Sequence, residues 1–340
     1  MGQGRPTCNR TKAVLWAPPM RLLFITATRI GDAVLSTGIL DQLIGAHPGI
    51  RVTVACGPAA AGLFAHLPGL ERVIAMRKRP FALHWLALWR ACVGRRWDIV
   101  VDLRGSAVSS FLRAGQRVVR RGGRRGLHRL AELGLLLGLD PPPLPHVWTS
   151  AAERAAAGRR LPPGGPVVGL GPTANWPGKV WPAERFAALF AALAEGKLPG
   201  ARAAIFAGPG AAERAGAEAL LAALPPARVV DLAGSLSLTE AAACLARCDL
   251  YVGNDSGLMH LAAAAGVPTL GLFGPSPPEE YAPAGPRAAF VRTPETMAEL
   301  IARPGYDHRT TGTLMGTLSV DAALAGAEAL LQGGRRQAAE

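Results

Sequence analysis

The sequence predicts an α/β protein built from two Rossmann-like, doubly wound parallel sheets that face each other across a cleft. Three observations carry that expectation. Strand-like runs such as RLLFITA (Arg21–Ala27) and DIVVDL (Asp98–Leu103) are apolar without alternation, as strands covered on both faces are. Segments of helical periodicity separate them. The alternation breaks once in mid-chain, at Pro141-Pro142-Pro143, Pro145 and Pro162-Pro163-Gly164-Gly165-Pro166, and then restarts.

In the first half, Arg21–Ala27 reads as a buried strand and Asp32–His47 as an amphipathic helix. Arg51–Cys56 and Arg72–Met76 follow as strands, Phe81–Val93 as a helix and Asp98–Leu103 as a strand. A basic, glycine-rich stretch, Arg113–Arg129, comes next. The proline-rich segments bracket one short helix near Ser150–Arg160, read as the interdomain linker. Beyond it, strands are expected at Val167–Leu170, Ala203–Ala207, Val229–Leu232, Leu250–Val252, Thr269–Phe273 and Ala289–Val291. Helices are expected near 182–194, 211–223, 238–247 and 257–265, with a last one at Val320–Gln332. Ser237-Leu238-Thr239-Glu240 has the form of a capping box. The expected division is an extension over 1–19, a first domain over 20–149, a linker over 150–166, a second domain over 167–318 and a final helix and tail over 319–340. Met20 directly precedes the first strand and is a possible translation start.

At 340 residues the chain has material for two domains of about 150 residues each, and 49% of it is apolar. No stretch reads as a membrane-spanning helix: the best candidate, 252–273, carries Asn254, Asp255, Ser256, His260 and Pro268. The apolar run Ala13–Ala17 is too short for a signal peptide. The five cysteines form no CxxC pair and no zinc spacing, which suits reduced thiols in a cytoplasm. A net charge of +13 calls for an anionic partner. Without an RNP-like motif, zinc finger or basic recognition helix, nucleic acid is not the expected one.

Four polar loops follow buried strands, where open α/β sheets bind ligands. In Thr28-Arg29-Ile30-Gly31-Asp32, Asp32 is either a helix N-cap or a base that takes a proton from a hydroxyl. In Gly169-Leu170-Gly171-Pro172-Thr173-Ala174-Asn175, with Lys179 and Trp181-Pro182 beyond, small residues offer amides and Lys179 a point charge suited to a diphosphate. In Gly253-Asn254-Asp255-Ser256-Gly257-Leu258-Met259-His260, the amides of Ser256 and Gly257 open a helix and form an anion site. There Asp255 is a sugar-hydroxyl acceptor or an N-cap, and His260 a ligand contact or a half-buried structural histidine. Phe273-Gly274-Pro275-Ser276-Pro277 is a tight turn able to close over a base or ribose. No Asp-x-Asp pair, dinucleotide fingerprint, P-loop, nucleophile elbow or zinc-protease motif occurs. The usual metal clamp for a sugar nucleotide is therefore absent, and a diphosphate would have to be neutralised by Lys179 and helix amides.

Taken in order, Gly31-Asp32, Lys179-Val180-Trp181-Pro182, the run Asn254–Ala264 (NDSGLMHLAAA) and Gly266–Ser276 (GVPTLGLFGPS) resemble the bacterial heptosyltransferases of glycosyltransferase family 9. The resemblance spans about Arg21 to Leu331. It implies a GT-B fold whose last helix crosses back towards the first domain. It also implies inverting transfer from ADP-heptose, with no metal and no cofactor, to a lipopolysaccharide core or lipid A acceptor at the cytoplasmic surface of the inner membrane. Asp32 then matches the catalytic base, Lys179 the phosphate-holding lysine, and Asp255 the aspartate on the heptose. Ser256 and Gly257 match the diphosphate turn, and Glu213 sits near the family's donor-site glutamate. Thr173, His260 and Gly274 complete the donor side. On the acceptor side, Arg77, Lys78, Arg79, Arg120 and Arg121, with Arg124 and Arg125, are the basic groups for a phosphorylated inner core. A GT-B transferase with another nucleotide sugar or a protein acceptor, and a non-catalytic sugar-nucleotide or lipid-core binding protein, are the alternatives.

Overall fold

Why the buried strands are so uniformly apolar follows from their place in two parallel sheets. The computed structural model describes residues 19–123 and 126–337, with side chains to residue 333. The expectation for residues 1–19 falls, apart from Pro19, outside them, as do Arg124 and Arg125. The first lobe runs β1 (Arg21–Ile25), α1 (Ile30–Leu35), α2 (Thr37–Ala46), β2 (Arg51–Cys56), β3 (Leu70–Ala75), α3 (Leu83–Cys92), β4 (Arg96–Asp102), β5 (Arg113–Val119) and α4 (Arg129–Leu135). Its strands are ordered β3-β2-β1-β4-β5, all parallel.

The second lobe runs α5 (Ala151–Arg160), β6 (Val167–Gly171), α6 (Ala183–Glu195), β7 (Arg202–Ile205), α7 (Ala211–Ala223), β8 (Val229–Asp231), α8 (Leu238–Leu245), β9 (Leu250–Asn254), α9 (Gly257–Ala264), β10 (Thr269–Phe273), α10 (Pro278–Tyr281), β11 (Ala288–Arg292), α11 (Met297–Ile301) and α12 (Val320–Gln337). Its strand order is β11-β10-β9-β6-β7-β8, again all parallel. The chain reverses its direction of travel across each sheet after β3 and after β8. The switch points therefore fall between β1 and β4 and between β6 and β9, and a crevice forms there beyond the carboxyl ends.

Several expectations need correction. The predicted helix 32–47 is two helices, broken where the hydroxyls of Ser36 and Thr37 bond back to the carbonyls of Ala33 and Val34. The basic stretch 113–129 holds edge strand β5 and the start of α4. The linker helix α5 is no free connector. It packs on α8, and Thr239 donates to Glu153 at 2.6 Å. The last helix lies against α6 and β9–β11. Ala323 and Ala327 are fully buried there in the second lobe's core. The capping box at Ser237 and Glu240 is present, and Ser150–Glu153 and Thr296–Glu299 form two more.

The described cysteines are buried and free, and burial alone pushes the Cys56 thiol up to about 12. Among the described residues no helix is long and apolar enough to cross a membrane.

Glu153 ties the lobes. Its carboxylate caps α5 through Ser150, accepts from Thr239 and pairs with His66 at 3.0 Å. Burial pushes its carboxyl up, but the bonds from Thr239, Ser150 and His66 outweigh this and hold it at about 2. A carboxyl held low in the folded state stabilises above its ordinary value and loses that contribution as pH falls towards 2. Glu153→Ala is expected to cost about 1–2 kcal/mol in denaturant unfolding at neutral pH. A loss within error would remove it as a tie.

Candidate active site in the interlobe cleft

The carboxyl-end loops of both sheets meet in one cavity of about 610 Å³. The first lobe contributes Thr28–Asp32 after β1 and Ala59 after β2. The second contributes Thr173–Trp176 and Lys179 after β6, Gly208 and Glu213 after β7, Asp255–Leu258 and His260 after β9, and Pro275–Pro277 after β10. Residues 32, 179 and 255 thus share one space.

Asp32 lies in the first turn of α1, whose N-cap is Arg29 with no side-chain capping bond. The capping alternative for Asp32 therefore falls away. Its carboxylate, 31% exposed, stands 3.7 Å from Arg129 Nε on α4. Arg129 also pairs with Glu132 and donates to the Tyr281 hydroxyl at 2.8 Å, with its guanidinium 5.5 Å from that ring's centre. One arginine of the first lobe therefore touches both the candidate base and an aromatic wall of the second lobe.

Asp255 is no N-cap either. The cap of α9 is Ser256, without a side-chain capping bond, and Asp255 forms an ion pair with Lys179. Asn254, fully buried, holds this arrangement. Its amide donates to Pro172 O at 2.8 Å and its oxygen accepts from Trp181 N at 3.0 Å. The loop carrying Lys179 is thereby tied to the loop carrying Asp255. Trp181 anchors the other side by donating to Leu318 O at 3.0 Å.

His260 is 5% exposed on the first turn of α9. Burial lowers its imidazole to about 4, against the pull of Asp255 and Asp32 and with the help of His128 and Lys179. The ring is neutral at physiological pH, and its buried Nδ1 has no hydrogen-bond partner. Glu213, in the first turn of α7, accepts from Gly208 N at 3.2 Å. Thr173 is buried in the cavity wall.

The remaining expected residues lie elsewhere. Gly274 does not line the cavity; the space a side chain would need is filled by Met315, whose sulfur would lie 2.4 Å from a Cβ there. Arg77, Lys78, Arg79 and Arg121 are exposed, and Arg120 is engaged by Glu132 at 2.7 Å. None of the five lines the cavity.

Sequence reasoning missed Arg129, Tyr281 and the wall formed by Trp176, Met297, Ile301, Tyr306 and His308. Apart from Trp176, which follows β6, that wall comes from segment 292–318. Trp176 stacks on His308 at 4.7 Å and donates to its carbonyl at 2.9 Å. The Thr296-x-x-Glu299 box was the readable signal for α11. Among the described residues, no group of three or more His, Cys, Asp or Glu is arranged to hold a metal ion.

Comparison with known proteins places this geometry. The sequence model of glycosyltransferase family 9 (heptosyltransferase) matches residues 130–303. Lipooligosaccharide heptosyltransferase 2 of Haemophilus influenzae is 27% identical, with 80% of this chain and 88% of that protein covered. Lipopolysaccharide heptosyltransferase 1 of Pseudomonas aeruginosa is 30% identical over 76% and 80%. The solved structure of Escherichia coli ADP-heptose lps heptosyltransferase II superposes with a TM-score of 0.70 at 24% identity, covering 93% of this chain and all of that one. The fold is therefore GT-B, as the resemblance implied.

The depressed His260 fixes a pH dependence. Folded, it titrates near 4; unfolded, near its ordinary value of 6.5. Its contribution is complete above 6.5 and is lost as pH falls towards 4, amounting to about 3 kcal/mol. Unfolding midpoints of the wild type should fall across that window, and His260→Gln should flatten the slope. An unchanged slope would refute the assignment.

Proposed function

This chain belongs to glycosyltransferase family 9, the heptosyltransferases, and on that premise we propose that it moves a heptose from ADP-heptose to a lipopolysaccharide inner core, inverting the anomeric carbon and using no metal ion. The single observation that carries the mechanism is the convergence of Asp32, Lys179 and Asp255 on one cavity from both lobes.

The donor lies against the second lobe, with its diphosphate at the N-terminus of α9. There the first-turn amides have no partner within the helix, no side chain caps them, and the helix dipole favours negative charge. Lys179, ion-paired with Asp255 while no phosphate competes, is positioned to shift its ammonium onto the diphosphate. Asp255 is then free to accept hydroxyl hydrogen bonds from the heptose. Glu213 and Thr173 line the nucleotide side of the same space.

The acceptor hydroxyl enters from the first lobe, beside Asp32. As its oxygen attacks the anomeric carbon, its proton passes to the Asp32 carboxylate. The bond from that carbon to the diphosphate breaks on the opposite face, and ADP departs with its charge held by Lys179 and the α9 amides. General-base assistance of this kind contributes about 10²–10⁴ in rate. Arg129, 3.7 Å from Asp32, orients the carboxylate. Because the acceptor is a lipid-anchored saccharide, the enzyme works at the cytoplasmic surface of the inner membrane, held there peripherally.

The base is tested by Asp32→Asn. ADP-heptose affinity should persist while turnover on a lipid-core acceptor, read by mass spectrometry, falls by about 10²-fold or more; near-wild-type turnover would end the assignment. Lys179→Ala should weaken ADP binding by about tenfold in calorimetry, with EDTA changing neither binding nor rate. Unchanged ADP affinity would remove Lys179 from the donor site, and activity abolished by EDTA and restored by Mg²⁺ would overturn the metal-free chemistry.

A further inference from the structure

Helix α3 breaks the rule that a surface helix keeps one polar face. Its sequence, LHWLALWRAC, contains no acidic residue. Leu88 and Cys92 turn inward onto the first sheet's core, with Trp85 and Trp89 packed at the margin. The outward side is apolar too: Leu83 is 47% exposed and Leu86 41%. Phe81, just before the helix, is 95% exposed, and Phe111 beside it is 70%. Trp89 donates to the Phe111 carbonyl at 3.4 Å, so the two segments form one surface. Phe81 and Ala82 both have positive φ, 50° and 55°. For residues with a Cβ that backbone is strained, and it presents Phe81 to solvent.

The rim of this apolar face is basic. From Arg72 to Trp97 there are seven lysines and arginines and no acidic residue. Arg77, Lys78 and Arg79, all exposed, lead directly into Phe81. Arg104 lies over the Trp85 ring at 5.3 Å. At the far end of α3, Arg95, Arg96, Arg113 and Arg117 line a hollow of about 770 Å³. Large exposed apolar groups ringed by cations, with tryptophans at the margin, match an anionic bilayer surface in both chemistry and charge.

We infer that α3, with the Arg77–Phe81 turn before it and Phe111 beside it, is a membrane-docking face: Phe81, Leu83, Leu86 and Phe111 enter the acyl boundary of an anionic phospholipid bilayer while the flanking cations meet its phosphates. The inference rests on the proposed membrane-anchored acceptor and assigns where the contact is made. The Arg77–Arg79 turn follows β3, so it lies at the same carboxyl edge of the sheet as the Asp32 loop after β1. Docking there sets the cleft mouth beside the lipid surface.

The test uses the full chain and vesicles without donor or acceptor, so its outcome does not depend on heptosyl transfer. The wild type should float with phosphatidylglycerol-containing vesicles and not with phosphatidylcholine alone. Phe81→Glu/Leu86→Glu/Phe111→Glu should weaken flotation by about tenfold or more while keeping wild-type circular dichroism. Should the triple variant fail to fold, brominated phosphatidylglycerol vesicles give a second reading, since they should quench the wild-type tryptophan emission. Absence of flotation, equal flotation of the folded variant, or no quenching would overturn the inference. So would a concentration-dependent dimer that the same substitutions dissociate, which would give the face to a second copy. Flotation without transfer would sink the proposed activity alone; transfer without flotation would sink the docking face alone.

Discussion

Everything in the site depends on how closely two glycines let the lobes approach. A Cβ on Gly31 would lie 2.8 Å from the His260 ring, and one on Gly257 would lie 2.8 Å from Ile30 Cβ. Real Cβ atoms do not sit that close to neighbours, so any larger residue would wedge the seam open. Closed, it sets the first turn of α1 against the first turn of α9. The same contact buries His260 and keeps it neutral, because an imidazolium there would be desolvated without a paired acceptor. A neutral ring in that place leaves the proposed anion site to amides and Lys179 rather than to a titrating cation.

A second constraint sits inside the second lobe, where the β6 and β9 loops must meet. The Tyr251 ring lies across the positions of Gly171 and Gly253, and its hydroxyl would be 1.9 Å from a Cβ at 171 and 2.5 Å from one at 253. The small residues of Val167–Gly171 thus make room for a buried aromatic. Asn254 then clips Pro172 to Trp181. A buried amide that satisfies two backbone groups is costly to lose, since either partner alone would be stranded. The polar run at 254–257 therefore divides its labour: Asn254 builds the loop, while Asp255, Ser256 and Gly257 line the cavity.

How much of this was legible in the sequence depended on the range of the interaction involved. The parallel sheets were, because unalternating apolar runs report burial on both faces locally. So were the residues of the cavity that directly follow strands, Asp32, Lys179 and Asp255 among them. Whether Asp32 and Asp255 were caps was not, because a cap and a base occupy the same place in sequence and differ only in where the carboxylate points. Edge strand β5 escaped because its residues are largely exposed and basic, so no hydrophobic pattern marks it. Arg129 and Tyr281 escaped because their partners lie 152 positions apart along the chain. The place of α12 follows from whole-face packing, marked by its buried alanines.

The distribution of charge gives the last step. A chain of net charge +13 that handles a diphosphate invites the view that its cations are there for the donor. The cavity argues otherwise. Among its lining residues the carboxylates Asp32, Glu213 and Asp255 outnumber the fixed cations Arg29 and Lys179, and Lys179 is matched to Asp255. Such a lining exerts little long-range pull on an anion, so in the proposed reaction donor recognition falls to short-range amides and Lys179. The surplus positive charge lies on the first lobe, around α3 and the loops beside it, where it is solvent-facing and acts over a Debye length of about 8–10 Å. The surplus cations and the cavity carboxylates are thus kept on separate surfaces. On the proposed roles, the cavity carboxylates bind sugar hydroxyls and accept a proton without being swamped by the cations outside.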